Sequence, residues 1–168
     1  MADDERQKVR EARAKATRKY QPKNVELLLV AESSPKAPER HFYFEDVRQH
    51  DLLFRYVAKV ILGEMPTRDN KAEVLAALKE RGVLMIDLRP APIDDTPVTD
   101  YVPDLLPRVR ALKPKKIVLI KARVFDAAYQ PLRDEGLPVV DVRVPFPGRG
   151  QQAKFEQTFA EALKRRPG

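Results

Sequence analysis

Four short stretches of the chain carry apolar residues almost without a break: VELLLVA over 25–31, VLMIDL over 83–88, KIVLI over 116–120 and LPVVDVRV over 137–144. A half-buried strand alternates apolar and polar side chains, whereas a near-continuous run suits a parallel strand covered on both faces. Between these runs lie segments of helical character: DLLFRYVAKVILG from Asp51, KAEVLAALKERG from Lys71, VPDLLPRVRALK from Val102, FDAAYQPLRDEG from Phe125 and AKFEQTFAEALKRR at the end. Gly82 and Gly136 close two of them, as expected of a residue that tolerates the left-handed turn past a last helical turn. Pro107 and Pro131 fall inside predicted helices, and each predicts a kink or a later start.

Strands alternating with helices predict an α/β fold with right-handed crossovers, a three-layer α/β/α arrangement around a central four-stranded parallel sheet. The 168 residues suit one domain. Residues 1–22 read as a solvent-rich charged helix, with no breaker before Pro22, either a basic appendage or a packed first helix, preceding a core over 23–168. Ligands of open parallel sheets bind beyond the carboxyl ends of the strands. The informative segments are therefore the four loops AESSPKAPERHFYFED, RPAPIDDTPVTD, KARVF and PFPGRGQQ.

The first loop holds Glu32 directly after a predicted strand, with Phe42, Tyr43 and Phe44 further on. A carboxylate beside flat rings suits a site that holds a planar ligand and positions water or stabilises positive charge; the competing reading makes Glu32 a solvated loop acid and the rings part of the core. The second strand ends in Asp87, which shares a face with Arg89 by the strand period of two, so the two could simply pair. Lys121 and Arg123 follow the third strand, and Arg143, Arg149 and Lys154 surround the fourth, a cationic rim suited to phosphate or to solvent.

Composition narrows the choice. A formal net charge of +7 favours an anionic partner, with nucleic acid the commonest for a basic domain. The chain has no cysteine, which excludes disulfides, thiolate nucleophiles and cysteine-held iron–sulfur or zinc centres. His41 and His50 lack metal-ligand spacing and have no third histidine to join them; the carboxylate pairs Asp94–Asp95 and Glu45–Asp46 carry no specific signal for magnesium. AESSPKAP contains neither a G-x-G-x-x-G nor a G-K-[ST] pattern, which speaks against dinucleotide and nucleoside-triphosphate binding. A charged N-terminus and the lack of a long apolar run predict a cytoplasmic protein with no membrane association.

Four segments, in this order and spacing, resemble the uracil-DNA glycosylase superfamily: Ala31-Glu32-Ser33-Ser34-Pro35 with aromatics behind it, GVLMID at the second strand, IVLIKARVFDAAYQPL at the third, and VPFPGRGQQAKF after the fourth. The resemblance covers about Val25 to Phe155. It implies a cofactor-free monomer that flips a deaminated or modified base out of DNA and hydrolyses its N-glycosidic bond. Carried over position by position, Glu32 is the catalytic acid of the first loop and Phe42 or Phe44 stacks on the base. Asp87 stands where many members read the base edge with asparagine, and as an ionised carboxylate it accepts hydrogen bonds from an exocyclic amino group. Lys121, Arg123, Arg149 and Lys154 contact DNA, with Arg149 entering the base stack. Val144 stands where the family commonly carries the histidine that stabilises the leaving base. Two other readings are a nucleic-acid-binding protein on the same fold without catalysis, and a flavodoxin-like nucleotide or small-molecule enzyme.

Overall fold

The computed structural model describes residues 3–46, 51–90 and 96–167; His50, Asp94 and Asp95 lie outside them. Strand β1 (Leu27–Ser33) lies between β2 (Val83–Arg89) and β3 (Ile117–Leu119), all parallel, in the order β2-β1-β3. Leu27 faces Val83 and Ser33 faces Arg89 on one side, while Leu28 to Val30 pair with Ile117 to Leu119 on the other. Leu28, Leu29 and Val30 are fully buried, which is why the central strand shows no alternation in the sequence.

The helices are α1 (Asp3–Lys19), α2 (Leu52–Leu62), α3 (Lys71–Glu80), α4 (Val102–Leu112), α5 (Ala122–Asp134) and α6 (Gln152–Lys164), with a 3-10 turn over Val98–Tyr101. Helix α2 packs on α3 and α6, whereas α4 packs on α5, which lies against β1 and β3. Among the described residues no helix is long and apolar enough to cross a membrane. Gly82 joins α3 to β2 at a φ of 76°, where a Cβ would stand 2.9 Å from the Asn24 carbonyl oxygen. No side chain fits that contact.

At three places the structure differs in detail from the expectation or decides between two. First, the stretch 137–144 forms no regular fourth strand: it touches β3 and its continuation through two isolated parallel bridges, Ile117 to Val139 and Ile120 to Val144. Three steps along β3 answer to five along this segment, so the ladder cannot stay in register. Second, Pro107 and Pro131 lie inside continuous helices. Each forfeits one backbone hydrogen bond, but Leu105 and Val109 on α4, and Ala128 and Leu132 on α5, are fully buried, and this packing holds the helices through the prolines. Helix α5 also begins at Ala122 rather than Phe125.

Third, of the two readings of the N-terminal helix, α1 is packed rather than a solvated appendage. Acids in its first turn and bases in its last complement the helix dipole, and Tyr20, just beyond it, enters the core. Arg13 is buried, and its Nη2 donates to the carbonyl oxygens of Pro35, Ala37 and Arg40 at 2.9, 3.0 and 3.1 Å. The first helix thereby fixes the loop that follows β1.

Candidate functional site at the carboxyl edge of the sheet

The chain passes from β1 to β2 on one side and then crosses from β2 to β3 on the other side of β1, so the crevice between the ends of β1 and β3 is the switch point at which such sheets bind ligands. A cavity of about 220 Å³ opens there. It is lined from β1 and its loop by Glu32, Ser34, His41 and Phe42, from β2 by Met85 and Asp87, and from the segments after β3 by Lys121 and Phe146. Asp51, just before α2, completes the wall. This volume lies below the roughly 300–1,000 Å³ of drug-sized ligand sites, and it suits a single planar ring system.

Glu32 is a residue of the strand rather than of the loop, only 5% exposed. Its carboxylate accepts hydrogen bonds from Lys121 Nζ at 3.0 and 3.2 Å and meets Arg123 Nη1 at 3.5 Å. Lys121 and Arg123 therefore do not stand free as a phosphate rim. Lys121 holds a φ of 87°, a conformation that costs a non-glycine residue about 1–3 kcal/mol. Hydrogen bonds fix it from both sides: its N–H donates to Val144 O at 2.7 Å, and its carbonyl accepts from Val124 and Phe125 N–H at 3.1 Å.

Asp87 accepts a hydrogen bond from Ser34 Oγ at 2.8 Å. Burial pushes its carboxyl up to about 6, opposed by the Ser34 hydrogen bond, reinforced by Asp51, and opposed again by Arg13 and Arg108. Arg89, the partner suggested by the strand period, turns elsewhere: its guanidinium lies 5.4 Å from the Tyr101 ring centre and donates to Thr96 O at 2.5 Å. Arg108 instead ties the strand end, donating to the carbonyl oxygens of Asp87 and Leu88 at 2.9 Å each.

Of the two candidate stacking rings only Phe42 lines the cavity. It is almost wholly buried and meets Phe54 edge-on at 5.5 Å between ring centres. Phe44 leans on the His41 ring at 5.0 Å instead. Phe146, between the two prolines of PFP, is 38% exposed at the cavity and is the only exposed large hydrophobic among the described residues. Its position between prolines was the available signal, because Pro145 and Pro147 leave an intervening side chain little freedom to fold back.

The sequence offers no role for His41 beyond that of an isolated metal-ligand candidate. It is buried against the cavity, where burial, then Arg13 and Lys71, push its imidazole down to about 3. Tyr43 N–H donates to its Nδ1 at 3.3 Å, so the neutral ring carries its hydrogen on Nε2. That nitrogen has no hydrogen-bond partner among the described residues. Lys71, also buried, donates to His41 O at 3.1 Å, and burial pushes its ammonium down to about 8 against the pull of Asp51.

Arg149, on the segment leading into α6, and Lys154, in the first turn of α6, are exposed. Arg149 has a φ of 40° and precedes Gly150 at 79°, so this turn projects its side chain from two successive left-handed residues. Arg143 is engaged with Asp126 through hydrogen bonds of 2.7 and 3.1 Å. Glu45 is held by Lys19 and Tyr20, and no group of three or more metal-ligating side chains gathers among the described residues. No family model, no curated protein and no solved structure matches the chain.

Proposed function

We propose that the protein is a DNA glycosylase-like hydrolase that takes a deaminated or modified base out of DNA and cleaves its N-glycosidic bond. The observation carrying this reading is the meeting of Glu32, Phe42 and Asp87, from separate elements, on one base-sized cavity at the switch point. The flipped base would lie between Phe42 and Phe146, with Asp87 at its polar edge. Water held by Glu32 would pass a proton to its carboxylate and add to C1′ as the C1′–N bond breaks, that bond's electron pair leaving on the base, which then takes up a proton from solvent. Val144 is buried and bridged to Ile120, and its side chain is not part of the cavity wall. The Nε2–H of His41, on the cavity wall, is a neutral donor that could serve the departing base, the role that electrostatic stabilisation of a leaving group requires. The isolated parallel bridges of Val139 and Val144 run beside β3 and its continuation, the position that a fourth strand of the superfamily's sheet would take.

The test is incubation with single- and double-stranded DNA containing uracil, hypoxanthine or a modified cytosine, followed by alkaline cleavage of abasic sites. Scission with at least one substrate, lost in Glu32→Gln, is expected; none with any substrate at high protein concentration refutes base release. A second reading, nucleic-acid binding without catalysis, is favoured by the two cations that already engage Glu32. It predicts salt-sensitive binding that survives Glu32→Gln.

A further inference from the structure

On the far side of the Ser34–Asp87 pair lies a second, larger space of about 800 Å³, running between α1 and the end of β2 and sharing Ser34, His41, Met85 and Asp87 with the first cavity. Its charge is one-sided. Arg6, Arg10, Arg13 and Arg18 from α1, Lys36 from the first loop and Arg108 from α4 line it, and Asp87 is the one acid among its lining residues. Helical spacing accounts for this: positions 6, 10, 13 and 18 fall on one face of α1 together with Val9, Ala14 and Thr17. The acids Asp3, Asp4, Glu5 and Glu11 line no part of it. Helix α1 thus sorts its charges, with bare cations toward the groove and acids away from it.

The four α1 arginines and Lys36 differ in how they are held. Arg13 spends its Nη2 on three loop carbonyls, and Arg108 is tied to β2 and to Asp104 at 3.0 Å. Arg6, Arg10, Arg18 and Lys36 have no ion pair among the described residues, and the three arginines are exposed. From Arg6 to Arg18 the helix advances about 18 Å, so the free cations form a line rather than a point. Below them the floor is apolar, built of Val9, Pro38 and Met85 among others.

A line of cations over an apolar floor matches a polyanion that also carries flat apolar groups. We propose that this groove binds single-stranded nucleic acid, with the phosphates along Arg6, Arg10, Arg18 and Lys36 and the unpaired bases against the floor and the guanidinium planes. A duplex keeps its bases stacked inside and has nothing to lay on such a floor. Because the groove and the cavity share the Ser34–Asp87 wall, the bound strand continues beside whatever nucleotide the cavity holds. The inference rests on the reading of the chain as a nucleic-acid-binding protein, but not on base release.

The experiment is fluorescence anisotropy of a labelled oligothymidylate and of a labelled duplex, at several potassium chloride concentrations, with wild type and Arg6→Gln/Arg10→Gln/Arg18→Gln. For the single strand the variant is expected to lose on the order of tenfold or more in affinity, and about 2 from the slope of log K against log salt, at about 0.7 per lost contact. Lys36→Gln/Arg18→Gln, which removes cations from both walls, is expected to lose about 1.4 from that slope. Thermal melts by circular dichroism confirm that both variants fold. Single-strand affinity and slope unchanged in the folded variants overturn the proposal, as does a loss confined to the duplex. Neither outcome depends on base release, because the oligonucleotides carry no damaged base; conversely, failure to release any base leaves the anisotropy result standing.

Discussion

Lys121 Nζ lies 3.0 Å from Glu32 Oε2, joining the ends of β1 and β3 across the switch point of the sheet. The two partners are unequal: Glu32 is 5% exposed, whereas the Lys121 side chain is 37% exposed. Removing the cation therefore leaves a buried carboxylate with only Arg123 at 3.5 Å, while removing the carboxylate leaves two cations that water can reach. Lys121→Met should destabilise by about 1–3 kcal/mol, and Glu32→Gln by less than about 1 kcal/mol. Urea denaturation of the two variants checks this, and the reverse order would contradict the burial of Glu32.

Asp87 carries a pH signature. Its carboxyl is raised from the ordinary 3.8 to about 6, so the fold favours the protonated form. The corresponding stability is fully present below the unfolded value and is lost as pH rises through about 6. Asp87→Asn should therefore gain stability relative to wild type on going from acid to neutral pH, by about 2–3 kcal/mol. Denaturation series at several pH values measure it; a difference independent of pH would show that the carboxyl is not raised. Under the proposed function, the same titration predicts that bases with a carbonyl at the read edge, such as uracil, are released faster below about pH 6, where the acid can donate.

His41 runs the other way. Burial holds its imidazole down at about 3 rather than 6.5, so the stability tied to the neutral ring is present above the unfolded value and is lost as pH falls from there toward 3. Wild type should lose stability at up to about 1.4 kcal/mol per pH unit over this range from this group alone, and His41→Gln should flatten that limb. Proton NMR of the ring should show no titration between about pH 5 and 8.

Phe146 separates stability from recognition. Its exposure means that Phe146→Ala should change stability by no more than about 0.5 kcal/mol. Under the proposed function, the loss of one stacking face should weaken substrate binding by about 1–3 kcal/mol. The expected result is a raised KM with a much smaller change in kcat, restored by Phe146→Tyr. A variant with unaltered KM would remove this ring from the base-binding site.

The sheet was legible because burial on both faces leaves a direct mark: Leu27 to Val30 and Val83 to Met85 are apolar at successive positions. Glu32 and Asp87 were legible for the complementary reason, each being the acid that interrupts such a run at its carboxyl end. The fate of the cations was not. Lys121 and Arg123 lie about ninety residues from Glu32, and a paired lysine looks like a solvated one in the sequence. Val139 and Val144 promised a strand, but whether two segments keep register depends on the partner's length. Arg13 was hidden among the many charges of α1, distinguished only by facing inward.

Arg13 also bears on how the molecule comes apart. It is the only buried residue of α1, and that helix adds little apolar burial to hold it against the sheet. Yet the loop behind Glu32 takes its shape from the three carbonyls that Arg13 gathers. Sub-global opening, in which one segment detaches while the rest stays native, follows the segments with the least burial. For this chain that segment is α1, and its detachment releases the loop that carries Ser34 and His41 while β1, β2 and β3 remain paired. The candidate site thus has a lower free energy of opening than the fold that supports it, and amides of residues 36–44 should exchange with solvent long before those of Leu28 to Val30.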